Sequence, residues 1–183
     1  MNSLKIVRVQ RFVAFAREKF IRKTQAKIMT FTIAIFNQAG GVAKTTLTQN
    51  LGYHLSQKQQ KVLLVDLDPQ ASLTAFMGLI PDELSQTIYH SLILEKPLPI
   101  HEKLHGVDLV PANIQLSGAE IELSAEMARE LRLKAALSEV CERYDYVLID
   151  CPPSLGLISI IALVAATHLV IPVHCHYKAL IGT

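Results

Sequence analysis

The chain has 183 residues, of which half are hydrophobic and 19% are charged, and its formal net charge is +2. This length is enough for one domain with a substantial core, and the composition excludes a disordered chain. No apolar run reaches the roughly 18 residues that a membrane span requires. The three cysteines are widely spaced and form neither a C-x-x-C pair nor a disulfide framework, so we expect a reducing, cytosolic environment.

The charge is distributed unevenly along the chain. Residues 1–28 carry a net charge of +7, whereas the remainder carries −5. We therefore divide the chain into a basic N-terminal extension, residues 1–28, and a domain, residues 29–183.

Three interpretations of the basic extension remain open. It could be an amphipathic arm for a membrane surface or nucleic acid, because Phe12, Phe15 and Phe20 alternate with cations. It could be a targeting peptide, because it is rich in arginine and nearly free of acids. It could also be non-native upstream sequence, with Met29 as the true start. A predicted strand directly after Met29 favours this last interpretation.

The first predicted elements are a strand, a glycine-containing turn and a helix. Residues 31–36 (FTIAIF) form a short, apolar, β-branched run that indicates a strand. Residues 45–57 are predicted to be helical because leucines recur every fourth residue, at Leu47, Leu51 and Leu55. Gly52 within this helix costs about 1 kcal/mol relative to alanine, so we expect it to permit close packing on a sheet.

A second strand is predicted at residues 62–66 (VLLVD), which are continuously apolar up to a final aspartate. Such a run indicates burial on both faces and therefore a parallel sheet. Residues 72–104 are interrupted by prolines and are predicted to form short helices and loops. Residues 107–110 form another short strand.

The second half of the chain is predicted to add a long helix, a strand, a helix and a last strand. Ser117 and Glu120 have the spacing of a capping box. The core stripe of the long helix that they open comprises Leu116, Leu123, Met127, Leu131 and Val140. Residues 146–149 then form a strand followed by an aspartate, residues 155–166 a buried helix, and residues 168–173 the last strand. This alternation predicts a doubly wound α/β fold with a mostly parallel sheet.

The stretch NQAGGVAKTTLTQN, residues 37–50, has the context of a phosphate-binding loop, because it follows a strand and opens a helix. Backbone N–H groups of such a loop surround phosphates, and the helix N-terminus adds partial positive charge. Lys44 would reach the β- and γ-phosphates, and Thr45 would ligate Mg²⁺. The residues expected to bind the nucleotide are Gly40, Gly41, Val42, Ala43, Lys44, Thr45 and Thr46.

Two further stretches place aspartates after predicted strands. In an extended segment Asp66 and Asp68 would face the same side, and such a carboxylate pair favours a cation, for example a nucleotide-bound Mg²⁺. The alternative is a pair of solvated loop acids. Residues 146–150 have a Walker B pattern, in which Asp150 would hold Mg²⁺, usually through water.

A third stretch, His174-Cys175-His176, has the residue types of a metal site. On a strand the two histidines would share one face and the cysteine would lie on the other. Because no further ligand cluster is evident, metal binding is not favoured there.

The segments NQAGGVAKTTLTQNLG, VLLVDLDPQASLT, VPAN and YDYVLIDCPPSLG together resemble the ParA/Soj family of plasmid and chromosome partition ATPases, within the MinD-like deviant Walker A class. The resemblance extends from about residue 32 to the C-terminus. It implies a P-loop NTPase fold and an ATPase that dimerises around two molecules of ATP with Mg²⁺. It also implies binding of nucleoid DNA by the dimer, a ParB-like partner that stimulates hydrolysis, and a cytoplasmic, nucleoid-associated protein.

The resemblance assigns a role to individual residues. Lys44 matches the phosphate-binding lysine, which we also count as catalytic, and Thr45 matches the Mg²⁺ ligand. Asp68 matches the catalytic aspartate tied to hydrolysis, and Asp150 matches the Walker B aspartate. Asp66, which the carboxylate pairing suggests as a further metal ligand, matches the family pattern less directly.

The chain also departs from the family pattern. Ala39 occupies the position of the signature lysine, which in the family reaches the ATP of the partner subunit, and Ala43 replaces a glycine. The family continues beyond the position of Thr183, so we expect a C-terminally truncated domain. The alternatives to an active partition ATPase are an ATP-binding module with little or no turnover, an ATPase that positions a protein cargo such as a carboxysome, and a gene product without function. The sequence leaves ATP hydrolysis by this chain open.

Overall fold

The computed structural model describes residues 30–173, which form a six-stranded sheet with helices on both faces. The strand order is β3-β4-β2-β5-β1-β6. The strands are β1 (Phe31–Ile35), β2 (Val62–Asp66), β3 (His101–Leu104), β4 (Val107–Val110), β5 (Tyr146–Asp150) and β6 (His168–Val170). Only β3 is antiparallel to its neighbour among these strands. The predicted mostly parallel, doubly wound α/β fold is confirmed.

Six α-helices lie within the described part of the chain. They are α1 (Lys44–Gln57), α2 (Ser72–Phe76), α3 (Ile88–Leu94), α4 (Ala119–Glu122), α5 (Arg132–Ser138) and α6 (Leu157–Ala165). None of them is long and apolar enough to cross a membrane. The last strand ends at Val170 instead of residue 173. The basic extension, residues 1–28, and the stretch His174-Cys175-His176 lie outside the described residues.

Two apolar layers cover the sheet because successive strand residues point to opposite faces. On β2, Leu64 packs in the layer of α1 and α2, whereas Leu63 and Val65 pack in the layer of α3, α5 and α6. The close approach expected at Gly52 is confirmed, because a Cβ atom added there would lie 2.7 Å from Cδ2 of Leu64. The buried strand β2 therefore sits directly under α1.

The chain leaves the centre of the sheet in two opposite directions. From β1 it passes through α1 to β2 on one side of β5, and from β5 it passes through α6 to β6 on the far side of β1. In parallel α/β sheets ligands bind at the carboxyl ends of the strands at such a reversal. Asp150 is in register with both Ile35 of β1 and Asp66 of β2, so three adjacent strands end together at this edge.

The prediction of one long helix that begins at Ser117 is wrong. The side chain of Asn113 caps a 3-10 turn instead, and the segment continues as short helical pieces. Glu126 is extended and Ala128 is left-handed, with φ 54°, so the helix is interrupted between them. Met127, placed in the core stripe by its spacing, is 91% exposed.

Candidate functional site: the loop between β1 and α1

The loop between β1 and α1 closes around the side chain of Lys44, the first residue of α1. Its Nζ atom donates hydrogen bonds to the carbonyl oxygens of Asn37 and Ala39, both at 2.9 Å, and the residue is buried. Burial lowers the pKa of Lys44, whereas the charges of Asp150 and Asp68 act in the opposite direction. The ammonium group is therefore enclosed by the loop and faces two carboxylates.

The backbone of this loop is left-handed at two positions. Gly41 has φ 75° and Ala43 has φ 66°. A non-glycine residue in this conformation costs about 1–2 kcal/mol, so the backbone at Ala43, which replaces the glycine of the family pattern, is strained. A Cβ atom added at Gly40 or Gly41 would meet nothing within 4 Å, which shows that the loop has open space beside both residues.

Asn37 is a structural residue of the loop that sequence reasoning missed. It is fully buried, and its Nδ2 atom donates to the Pro172 carbonyl oxygen at 3.0 Å while its Oδ1 atom accepts from the Ala39 N–H at 2.8 Å. The second bond is an Asx-type turn, for which an asparagine between a buried strand and a glycine turn is a recognisable signal. Asn37 thus ties the loop to the segment that follows β6.

Asp150 lies almost completely buried at the end of β5, with Thr45 and Thr48 beside it. Burial raises the pKa of its carboxyl group to about 7, and hydrogen bonding by the Thr45 side chain opposes this shift. The Thr48 hydroxyl is 3.5 Å from Oδ1. Its other oxygen, Oδ2, has no hydrogen-bond partner among the described residues, which is unusual for a buried carboxylate.

This unpartnered oxygen fits Mg²⁺ binding. Mg²⁺ in nucleotide sites is held by one or two carboxylates together with phosphate oxygens and waters. Asp150 would supply one carboxylate, and Thr45 would supply a hydroxyl next to the loop. Within residues 30–173 no group of three or more His, Cys, Asp or Glu side chains is arranged to hold a metal ion.

Asp66 and Asp68 lie in different environments. Asp68 is half-buried and its charge acts on both Lys44 and Asp150, which places it at the site. Asp66 is fully buried, and burial raises the pKa of its carboxyl group to about 6. Both oxygens of Asp66 accept hydrogen bonds from the protein, through Thr74 and through the Asp68 N–H. Its role as a metal ligand stays a prediction.

The structure thus brings five of the predicted site residues together at one edge of the sheet: Lys44, Thr45, Asp66, Asp68 and Asp150. A glycine loop at a helix N-terminus, with a buried lysine and strand-end carboxylates around it, defines the class of P-loop NTPases. A family model described as AAA domain matches residues 30–183. The chain belongs to this AAA-domain family, and within it to the ParA/Soj proteins.

Curated relatives support this assignment. The sporulation initiation inhibitor protein Soj of Bacillus subtilis is 48% identical over 153 residues, which cover 82% of this chain and 60% of Soj. The chromosome partitioning protein ParA of Myxococcus xanthus is 45% identical over 155 residues, covering 82% of this chain and 54% of ParA. The chain therefore spans only about half to three fifths of the length of these relatives.

Two solved structures are similar to the described fold. Cobyrinic acid a,c-diamide synthase from Mycobacterium smegmatis, with a bound ATP analog and magnesium, superposes with a TM-score of 0.79 at 41% identity and covers 82% of this chain and 62% of its own. A Cyanothece McdA variant in complex with ATP superposes with a TM-score of 0.76 at 33% identity and covers 84% of this chain and 60% of its own.

Proposed function

We propose that the chain binds ATP with Mg²⁺ at the loop between β1 and α1 and acts as a ParA-like ATPase in plasmid or chromosome partition. The observation that carries this proposal is the unpartnered Oδ2 atom of Asp150, buried next to Thr45 and close to the enclosed ammonium group of Lys44. A buried carboxylate oxygen without a donor, beside a lysine, fits a cation and a polyanion that bind together.

Each part of the loop has a separate task in binding. The backbone N–H groups of residues 40–46 surround the phosphates at the N-terminus of α1, where the helix dipole favours negative charge. Lys44 exchanges its two carbonyl partners for phosphate oxygens. Thr45 and Asp150 would hold Mg²⁺, which would supply positive charge to stabilise the phosphates.

Asp68 is the residue that we assign to hydrolysis. It lies half-buried beside the site, and its Oδ1 atom accepts a hydrogen bond from the Gln70 N–H at 2.9 Å, which leaves Oδ2 for the attacking water. An aspartate that orients water at the γ-phosphate acts by positioning, and the charge on the transferring group is stabilised by Lys44.

The partners proposed for the chain follow from its relatives. Because the chain belongs to the ParA/Soj family, the partners that the family resemblance implies are a homodimer formed on ATP, a ParB-like adaptor protein and non-specific DNA. A cytoplasmic protein associated with the nucleoid is proposed on the same basis. The chain spans only part of the length of these relatives. Each of these partners is therefore a proposal for this chain.

A second function, ATP binding with little or no turnover, is favoured by Ala39. The carbonyl oxygen of Ala39 binds Lys44, but its methyl side chain places no charge near the phosphates. A cation supplied across a dimer contributes orders of magnitude to phosphoryl transfer, so its absence would slow hydrolysis more than binding. An ATPase that positions a protein cargo such as a carboxysome is the further alternative that the family resemblance leaves open.

The experiment that tests the proposal is calorimetric titration of the 183-residue chain with ATP and Mg²⁺. We expect Lys44→Ala to reduce the affinity at least about tenfold, because a hydrogen bond to a charged group contributes about 1.5–3 kcal/mol. The matched control is Lys58→Ala at the exposed C-terminal end of α1, which should bind like the unaltered chain. Circular dichroism establishes that both variants are folded. Equal affinities for the two folded variants would refute the nucleotide site.

A further inference from the structure

The carboxylate of Asp66 is surrounded by donors from its own protein. Its Oδ2 atom accepts hydrogen bonds from the Thr74 N–H at 2.9 Å and from the Thr74 hydroxyl at 2.7 Å, and its Oδ1 atom accepts from the Asp68 N–H at 3.1 Å. A carboxylate has about four acceptor positions, and three of them are used here. Asp66 is completely buried, so these bonds are shielded from water.

The bonds continue beyond Asp66 to a third element. The Thr74 hydroxyl, which donates to Asp66, also accepts from the Ala112 N–H at 3.0 Å. Thr74 and Ala112 are both completely buried. One hydroxyl in α2 therefore links the end of β2 to the segment that follows β4, and its donor and acceptor capacities are both used.

The same bonds fix the backbone at Asp68. Its N–H is held by Asp66, and its carbonyl oxygen accepts from the Ala71 N–H at 2.8 Å. The intervening Leu67 N–H donates to the Asp150 carbonyl oxygen at 3.0 Å. The position of Asp68 relative to Asp150 is therefore set by these two backbone contacts together with the bond from the Asp68 N–H to the Asp66 carboxylate.

We propose that Asp66 is a positioning residue that holds Asp68 and α2 in place through Thr74 and Ala112, and that it does not ligate the metal ion. The expected effect on hydrolysis rests on the proposed function, whereas the positioning of Asp68 and α2 by Asp66 is a property of the chain without nucleotide. Two measurements separate these statements, and both use the full 183-residue chain.

The first measurement is amide hydrogen exchange without nucleotide. Asp66→Asn and Thr74→Val should each make residues 67–77 exchange at least about tenfold faster, because each removes a buried partner of this segment. Thr74→Ser keeps the hydroxyl and should restore slow exchange. Ser159→Ala is the control, because Ser159 is an equally buried residue whose hydroxyl donates to the Ser154 carbonyl oxygen just before α6, and it should leave exchange in residues 67–77 unchanged. Exchange in residues 67–77 that is unchanged in Asp66→Asn and Thr74→Val would overturn the proposal.

The second measurement is ATP turnover and the Mg²⁺ dependence of ATP binding. Thr74→Val should lower kcat about tenfold or more with an unchanged KM, and Thr74→Ser should recover kcat. Asp66→Asn should leave the Mg²⁺ concentration for half-maximal ATP binding unchanged, whereas Asp150→Asn should raise it. A rise with Asp66→Asn equal to that with Asp150→Asn would show that Asp66 is a ligand and would overturn the proposal.

A further control addresses the loss of a carboxylate as such. Asp108 on β4 also accepts hydrogen bonds with both oxygens, from the Lys103 N–H and the Tyr144 hydroxyl, but it lies away from the loop. Asp108→Asn should leave exchange in residues 67–77 unchanged. If the unaltered chain binds no ATP, the proposed function fails, and the exchange measurement still decides whether Asp66 and Thr74 hold the segment.

Discussion

Ala43 has a backbone conformation that is unfavourable for a residue with a side chain. Its φ of 66° and ψ of 30° lie in the left-handed region, where the Cβ atom of an L-residue crowds the following carbonyl. As the N-cap of α1, alanine also has no side-chain acceptor for the first N–H groups of the helix, but the strain arises from this one pair of angles. The position directly precedes Lys44, and the strain is therefore located in the part of the loop that we propose to surround the phosphates.

Ala43→Gly should raise the free energy of unfolding by about 1 kcal/mol, since glycine adopts a positive φ without this clash. Urea denaturation with an unchanged m-value is the measurement. Ala135→Gly, in the exposed face of α5, is the control and should lower stability by about 1 kcal/mol. A decrease in stability for Ala43→Gly similar to that of the control would contradict the strain argument.

Individual site residues differ in how far the sequence predicts them. Lys44 and Thr45 could be placed because the phosphate loop fixes their spacing to the glycines. Asp150 could be placed because it ends an apolar strand. Asn37 and Thr74 could not, because their partners, the Pro172 carbonyl and the Ala112 N–H, are distant in the sequence and meet them only in the folded sheet.

Helix α1 is positioned by its contact with the central strands. Gly52 is buried, and Leu64 of β2 occupies the space where a side chain at this position would lie. Since α1 carries Lys44 at its N-terminus, its distance from the sheet also sets the position of the loop. Packing at the middle of the helix therefore supports the site at its start.

Gly52→Ala tests this packing. Alanine favours the helix by about 1 kcal/mol, but overpacking against a buried leucine costs about 1–3 kcal/mol, so we expect a net loss of stability. In the Leu64→Val background, which removes the Cδ atoms, the same change should be neutral or stabilising. Thermal unfolding of the four proteins forms a double-mutant cycle. A zero coupling energy between the two positions would show that Gly52 does not contact Leu64 closely.

The strands and the first helix were predictable because their apolar patterns are unambiguous, and each of the five predicted strands is present. The segment between β4 and β5 was not. The spacing of Leu116 and Leu123 suits a helix, and both are buried, but short 3-10 turns bury them equally well. A left-handed residue such as Ala128 ends a helix without leaving a signal of its own in the sequence.

At the scale of the whole molecule, the order of the strands brings the site residues together. β1, β2 and β5 are distant in the sequence but adjacent in the sheet, so the loop, Asp68 and Asp150 meet at one edge. This arrangement was predictable from the fold class, because ligands in doubly wound sheets bind where the connections diverge. The hydrogen bonds that hold the edge together were not, since they depend on side-chain positions.

We propose that Ala39 limits how rapidly this assembled site turns over ATP. The loop supplies one ammonium group, from Lys44, and the side chain of Ala39 adds no charge. Phosphoryl transfer spreads charge over the γ-phosphate oxygens, and a second cation supplied across a dimer can accelerate it by about 10³ or more.

We therefore expect Ala39→Lys to raise ATP turnover at least about tenfold and to promote ATP-dependent dimers. Phosphate release and sedimentation velocity with ATP and Mg²⁺ measure both effects. Gln38→Lys places the same charge on the neighbouring exposed residue and should change neither. Turnover by the unaltered chain as fast as that of Ala39→Lys would show that another group supplies the charge.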